Sequence, residues 1–440
     1  MKALKRLGIT VGLATALGFV LFPAAKIKMR KTASDGTPLI PGFCTEQRTS
    51  NPAAIQIMKT IWSPPEGTSS STPLILSSGT IVISVSPLNT DAGNASGIGY
   101  LYFFSKSGTF LTKVAHGMGA APADLLMMKS PQGAEETIVA IDDQGAVDFF
   151  DPKTYKKLAT HLISQSNEYA LGATQIGNWA AIASPDSDPN QIFFFDSLGT
   201  QKLRIPISGS SFCKPLTYTD ENKKSLVVMG DGQGHVDFID PITKSVETTT
   251  LSGAQEISGI TLLASGEFAV TDSAGSVYFL GKDHKASSRL PYIRSLPARK
   301  DPIVKYSPAV IGPAKELNGG ELIMLSQDGY ATILNNNGTV KAIFDANGFN
   351  NGSIEPEVIT AVDGSQKIIL PVHGATYMID SSANLVGYID LPNQENTSRP
   401  VFVTKDTYIS GGVEGVHIFS LSGPATASSM TMPVIVPCAP

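Results

Sequence analysis

The stretch Gly145-Ala-Val-Asp-Phe-Phe-Asp151 decides the fold, because variants of it recur along the chain. Upstream stands Gly99-Tyr-Leu-Tyr-Phe-Phe-Ser105, and downstream follow Asn190-Gln-Ile-Phe-Phe-Phe-Asp196 and Gly234-His-Val-Asp-Phe-Ile-Asp240. Further on come Gly275-Ser-Val-Tyr-Phe-Leu-Gly281, Gly329-Tyr-Ala-Thr-Ile-Leu-Asn335, Gly374-Ala-Thr-Tyr-Met-Ile-Asp380 and Glu414-Gly-Val-His-Ile-Phe-Ser420. Their first positions are 46, 45, 44, 41, 54, 45 and 40 residues apart, a mean of 45. A period of 40–50 residues is that of a propeller blade.

Each copy has the chemistry of one strand. Its apolar run is nearly continuous, as expected of a strand covered on both faces. The closing Asp, Asn, Ser or Gly turns the chain, and Pro152 and Pro241 fit that turn because they preset φ. A second apolar segment precedes each copy, such as Thr137-Ile-Val-Ala-Ile-Asp142 or Ser225-Leu-Val-Val-Met-Gly230. With a short segment before it, this makes four antiparallel strands per unit. The pattern predicts an all-β fold, a single β-propeller of eight four-stranded blades, with seven as the alternative. Ile55–Trp62 and Leu74–Val85 supply a first blade, and Met430–Val436 a last outer strand.

Composition agrees. The 440 residues hold 41 glycines and 29 prolines, and only 16% are charged, below the ~25% of ordinary soluble domains. Seven basic and no acidic residues fall in 1–31, leaving 26 basic against 38 acidic in the body, a net −12. A body that acidic repels phosphate backbones, which argues against nucleic acid as a partner.

Lys2, Lys5 and Arg6 precede an uncharged stretch, Leu7 to Ala25, ending in Pro23-Ala24-Ala25. Residues 1–25 read as a cleaved signal peptide, with Pro23-Ala24-Ala25 as the place to cut, or as an uncleaved helical membrane anchor, whose border the basic cluster at 26–31 resembles. Either way the body is exported, to the periplasm or cell envelope. Residues 26–53 read as a linker and 54–440 as the propeller. Three cysteines remain. In a ring the first and last strands meet, so Cys44 and Cys438 are a natural disulfide pair, closing a loop worth roughly 5 kcal/mol by chain entropy. Two unpaired thiols are the other reading, and Cys213 reads as a small buried residue.

Catalytic signatures are missing. There is no Gly-x-Ser-x-Gly elbow, no Cys-x-x-Cys-His and no zinc spacing among six scattered histidines. Gly230-Asp-Gly-Gln-Gly234 is followed by a strand where a phosphate loop needs a helix, so it reads as a turn. No cofactor is implied. The 54-residue interval inserts about nine residues around Leu290–Ser307, with Arg289, Arg294, Arg299, Lys300 and Lys305. Such insertions emerge on one face of a propeller. Arg294, Arg299 and Lys300 are therefore candidates for docking an acidic protein partner, against the plainer reading of a solvated connector.

The run Gly-x-apolar-x-apolar-apolar-Asp-x-x-Gly/Thr, clearest at Gly145–Thr154, Asn190–Gly199 and Gly234–Thr243, resembles the repeat of pyrroloquinoline-quinone-type β-propellers. The resemblance covers residues ~90–425 and implies the same ring fold. Enzymatic members carry a docking tryptophan after the repeat and a vicinal disulfide; here Trp62 and Trp179 lie elsewhere and no cysteines adjoin. Non-enzymatic members include the eight-bladed lipoprotein of the outer-membrane β-barrel assembly machinery. This chain is similar to it in size and export but has no lipobox, since Cys44 follows Pro41-Gly42-Phe43. The resemblance implies a protein-binding scaffold; a quinone-dependent oxidoreductase with an axial site and a surface adhesin are the alternatives.

Overall fold

A thin four-stranded sheet exposes two apolar faces, and stacking around an axis covers both. The computed structural model describes residues 42–438 except 63–67, 88–98, 118–123, 143–144, 164–171, 185–189, 210–212, 297–310, 347–354, 362, 373, 392–398, 405, 413–414 and 422–428. Among the described residues eight antiparallel sheets follow one another along the chain as the blades of a propeller. Blades 1 to 8 are built on residues 68–116, 124–162, 173–206, 216–250, 257–292, 315–345, 357–390 and 401–420. Every copy of the repeat is the third strand of its blade, counted outward.

The period-two alternation of a strand sends successive side chains to opposite neighbours. In the blade 2 strand Glu135–Ile141, Val139 and Ile141 pack with Ala180, Ile182 and Phe195 of blade 3. Ile138 and Ala140 pack instead with Val82, Leu101 and Phe103 of blade 1. Such a cluster joins each pair of neighbours, and the one holding Ile61, Ile409 and Val416 against Ile81, Ile83 and Phe104 joins blade 8 to blade 1. The third strands carry the bulk of this core, with Phe149, Phe150, Phe194 and Phe195 fully buried. Each contributes about 1.5–3 kcal/mol over an exposed ring. Close approach of neighbours constrains the turns too. At Gly199 φ is +78°, and a Cβ there would sit 2.6 Å from Ala159 of blade 2.

Closure differs from the sequence expectation. Gln56–Trp62 does not belong to the first blade; it pairs antiparallel with Gly415–Ser420 as the outer strand of blade 8. Blade 8 thus combines both ends of the chain, which leaves no free sheet edge at the seam. The first blade begins with Thr68–Ser70 and Leu74–Ile75, both paired to Ile81–Pro87. Met430–Pro437, expected as the last outer strand, lies instead on the outer edge of blade 6 through Ile343↔Ile435 and Phe344↔Val434. There it pairs along its whole length with Phe43–Ser50. Ala53–Ala54 runs parallel to the outer strand of blade 7 at Gly387 and Tyr388. Residues 43–50 and 53, expected to be linker, therefore belong to the sheets, and 43–62 steps along the outer edges of blades 6, 7 and 8. The place of these segments was open because an amphipathic strand with one apolar face suits any outer edge.

Cys44 and Cys438 are joined by a disulfide with Cα atoms 5.0 Å apart, pinning the two terminal strands together. Cys213 is a buried thiol, its sulfur accepting the Gly230 N–H at 3.2 Å. In blade 5 the fourth strand is irregular, held by the single bridges Leu280↔Ala286 and Val277↔Tyr292, and Pro291 lacks the N–H a ladder needs. The expected N-terminal helix, residues 1–25, lies outside the described residues.

The disulfide closes a sequence separation of 394 residues, for which chain entropy gives on the order of 5 kcal/mol. A reductant should lower the melting midpoint of the wild type by several degrees. The double variant C44S/C438S should melt at that lower midpoint with or without reductant.

Candidate docking surface

Up-and-down blades have two kinds of loop on opposite faces. One face carries the turns between second and third strands together with the connectors to the next blade; the other carries the first–second and third–fourth turns.

On the connector face, buried carboxylates tie blades 2, 4, 5 and 6 to the loop arriving from the preceding blade. Asp148 of blade 2 accepts the Gly117 N–H at 2.9 Å, and also bonds Lys157 Nζ and Thr160 Oγ1. Asp237, at the same repeat position in blade 4, accepts the Ser208 N–H at 3.0 Å and the Ser208 and Thr248 hydroxyls. Asp272 accepts the Gln255 N–H at 3.2 Å. Asp328 of blade 6 is fully buried and receives Arg294 Nη2 at 2.5 Å, with the Ser326 hydroxyl on its other oxygen. Arg294 is therefore not a docking cation: its side chain is 5% exposed and serves the blade 5–blade 6 junction. The reason is electrostatic, since a buried carboxylate needs a partner and the inserted connector supplies one. Arg299 and Lys300 lie outside the described residues.

His116 sits at the blade 1–blade 2 junction, with its Nε2 2.7 Å from Ser84 Oγ. Burial drives its pKa down to about 4, only partly offset by Asp148 and Asp142.

Around the axis, charged residues mark the starts of innermost strands. Lys214 of blade 4 reaches Asp124 of blade 2 at 2.8 Å, passing Gly172, where a Cβ would lie 2.8 Å from the Asp124 carboxylate. Glu355 pairs with Arg399 at 2.9 Å and Lys315 at 3.5 Å. Burial pushes the Glu355 carboxyl up, but these two cations outweigh it and hold it below the usual range. Burial raises Glu357 beside it. The axial charges thus satisfy one another across blades 6, 7 and 8.

The opposite face differs. Between blades 3 and 4 a cleft of about 530 Å³ is lined by Ile176 and Trp179, by Lys223 and Lys224, and by Pro241 and Ile242. Trp179, one of the lining residues, packs edge-on against buried Phe194 at 6.1 Å. Asp240, on the rim, is occupied: its carboxylate accepts the Ile242 and Thr243 N–H groups and pairs with Lys224 at 3.5 Å. Burial raises its pKa, yet the Thr243 and Ile242 donors and Lys224 together bring it below the ordinary value.

Two comparisons between blades single this place out. The third residue of the third–fourth turn is Ser107, Lys153, Asp283, Asn337 or Ser382 in blades 1, 2, 5, 6 and 7. In blades 3 and 4 it is Leu198 and Ile242, which are 69% and 77% exposed. The first–second turn closes through one backbone bond onto Gly79, Gly133, Gly266, Gly320 and Gly364, all at positive φ. In blade 4 the same slot holds Lys223 at φ 62°, bonded to Asp220 O at 3.0 Å. A non-glycine residue there costs about 1 kcal/mol. Sequence reading missed both features, although aligning the turns of successive repeats exposes them.

No family model matches the chain, and no curated protein matches it in sequence. Among solved structures it is similar to BamB from Moraxella catarrhalis, with a TM-score of 0.53 and 12% identity over 85% of this chain and 98% of that one. At that identity the likeness shows the propeller fold.

Two stability predictions follow from the connector face. His116 titrates near 6.5 when unfolded and near 4 when folded. Its contribution is complete above pH 6.5 and is lost as pH falls towards 4, on the order of 3 kcal/mol in all. In urea melts from pH 7 to 4, H116Q should show a shallower loss of stability than the wild type. R294M should lose about 3–5 kcal/mol, because it takes the guanidinium away from the buried Asp328 carboxylate. R294M/D328N should recover much of that loss.

Proposed function

We propose that the chain is a non-catalytic docking scaffold, an exported ring of the bacterial cell envelope that holds a protein partner against the turn face of blades 3 and 4. The observation that carries this reading is Ile242, 77% exposed on the lining of a cleft, with Leu198 exposed at the matching turn of blade 3, where the other described turns present polar residues. An exposed apolar patch around a concave site on a rigid frame is a mark of protein recognition. The basic and then uncharged N-terminal segment supports export, by a cleaved signal or an anchor. The repeat, with its resemblance to non-enzymatic envelope propellers, supports a scaffold.

The reading makes one sharp demand on the surface. A photo-crosslinking residue at position 242 should trap a discrete envelope protein in living cells, whereas one at position 153, the matching turn of blade 2, should trap none. L198D/I242D should abolish recovery of that protein by affinity capture while melting within 1–2 °C of the wild type, a range typical of surface changes. Equal recovery by wild type and variant would overturn the proposal.

A further inference from the structure

We infer that the blade 3–blade 4 cleft takes an acidic peptide segment, an apolar side chain seated on Trp179 and a neighbouring carboxylate held by Lys223. The inference rests on the docking reading above and names the chemistry of its occupant.

The cleft has an apolar floor and a cationic rim. Ile176, Trp179, Pro241 and Ile242 offer a surface that a leucine or phenylalanine side chain would cover. Three charged residues line it: Lys223, Lys224 and Asp240. Asp240 is spent on its own turn and on Lys224, which leaves that pair close to neutral. Lys223 makes no ion pair with a described acidic residue. Lys224 donates its backbone N–H to Asp220 Oδ1 at 2.7 Å, so the Asp220 carboxylate is engaged within the turn. The neighbouring Glu221 pairs with Lys282 of blade 5 at 3.5 Å. Of the two lysines that line the cleft, Lys223 is therefore the one without an ion pair to a described residue, on a body whose net charge is −12 outside residues 1–31.

The backbone makes the same point independently. Five of the six equivalent turns meet their left-handed slot with glycine, and this one meets it with Lys223 at φ 62°. Glycine would fit the slot without strain, so the fold gains nothing from lysine there. Four other non-glycine residues, Tyr155, Lys244, His284 and Ala383, hold this backbone in third–fourth turns, so Lys223 is the exception among these first–second turns. A charge facing an acidic partner steers encounter and fixes register.

The occupant can be probed with peptides. The chain has two tryptophans, Trp62 and Trp179, so W62F leaves Trp179 as the reporter of the cleft. The full chain carrying W62F would be titrated with an octapeptide having a central Leu-Phe pair flanked by aspartates, and with its counterpart flanked by lysines. The aspartate peptide should shift Trp179 emission saturably and bind at least tenfold more tightly than the lysine peptide, with the difference shrinking in high salt. K223G should lose about tenfold in affinity for the aspartate peptide while melting at the same or a higher temperature. A structural role for Lys223 cannot produce that combination of weaker binding and undiminished stability.

Equal binding of the two peptides, or unchanged affinity in K223G, would overturn the inference. The scaffold reading would survive that outcome if L198D/I242D still lost its crosslinked partner. Concentration-dependent dimerisation by sedimentation, abolished by I242D, would also overturn it, because the cleft would then be filled by a second copy of this chain.

Discussion

The structure depends on two-sided burial of strands that have no other source of cover. A blade's second and third strands send alternate side chains to the two neighbouring blades, as Val139 and Ile138 do. No blade can therefore complete its core alone, and an open stack would leave one apolar face bare at each end. The Ile61, Ile409 and Val416 cluster against Ile81 and Phe104 removes those ends. Buried carboxylates add direction to this packing. Asp148, Asp237, Asp272 and Asp328 each take a donor from an arriving connector, so a blade is fixed in orientation as well as in distance.

Much of this was legible in the sequence. Third strands announce themselves because burial on both faces demands a continuous apolar run and the turns demand Gly or Asp at fixed offsets. The spacing of Gly145, Asn190 and Gly234 gives the period, and eight copies give eight sheets. Closure was not legible. Gln56–Trp62 and Met430–Pro437 are amphipathic edge strands, and their partners depend on which outer edge lies within reach. The registers Lys59↔Ile418 and Ile343↔Ile435 exist only in three dimensions.

The functional surface divides in the same way. Arg294 is basic and lies in the long interval, which made it look available; only the fold brings Asp328 to it. Leu198 and Ile242 look unremarkable one at a time, since single exposed aliphatics are common on proteins. Their meaning comes from the polar residues that fill the same turn position elsewhere and from the cleft that Ile242 lines. Lys223 is a subtler case. Its left-handed backbone has no local signature in Glu221-Asn-Lys-Lys224, and it becomes visible only against five glycines in the matching turns.

The clasp between Phe43–Ser50 and Met430–Pro437 has a mechanical consequence. A pull applied at residue 42 meets the Cys44–Cys438 bond before it reaches the ladder that seals blade 8. Load entering there divides between a covalent crosslink and eight paired residues bonded in shear. Gln56–Trp62 is shielded behind that junction, so the seam of the ring is not the first thing to peel under tension.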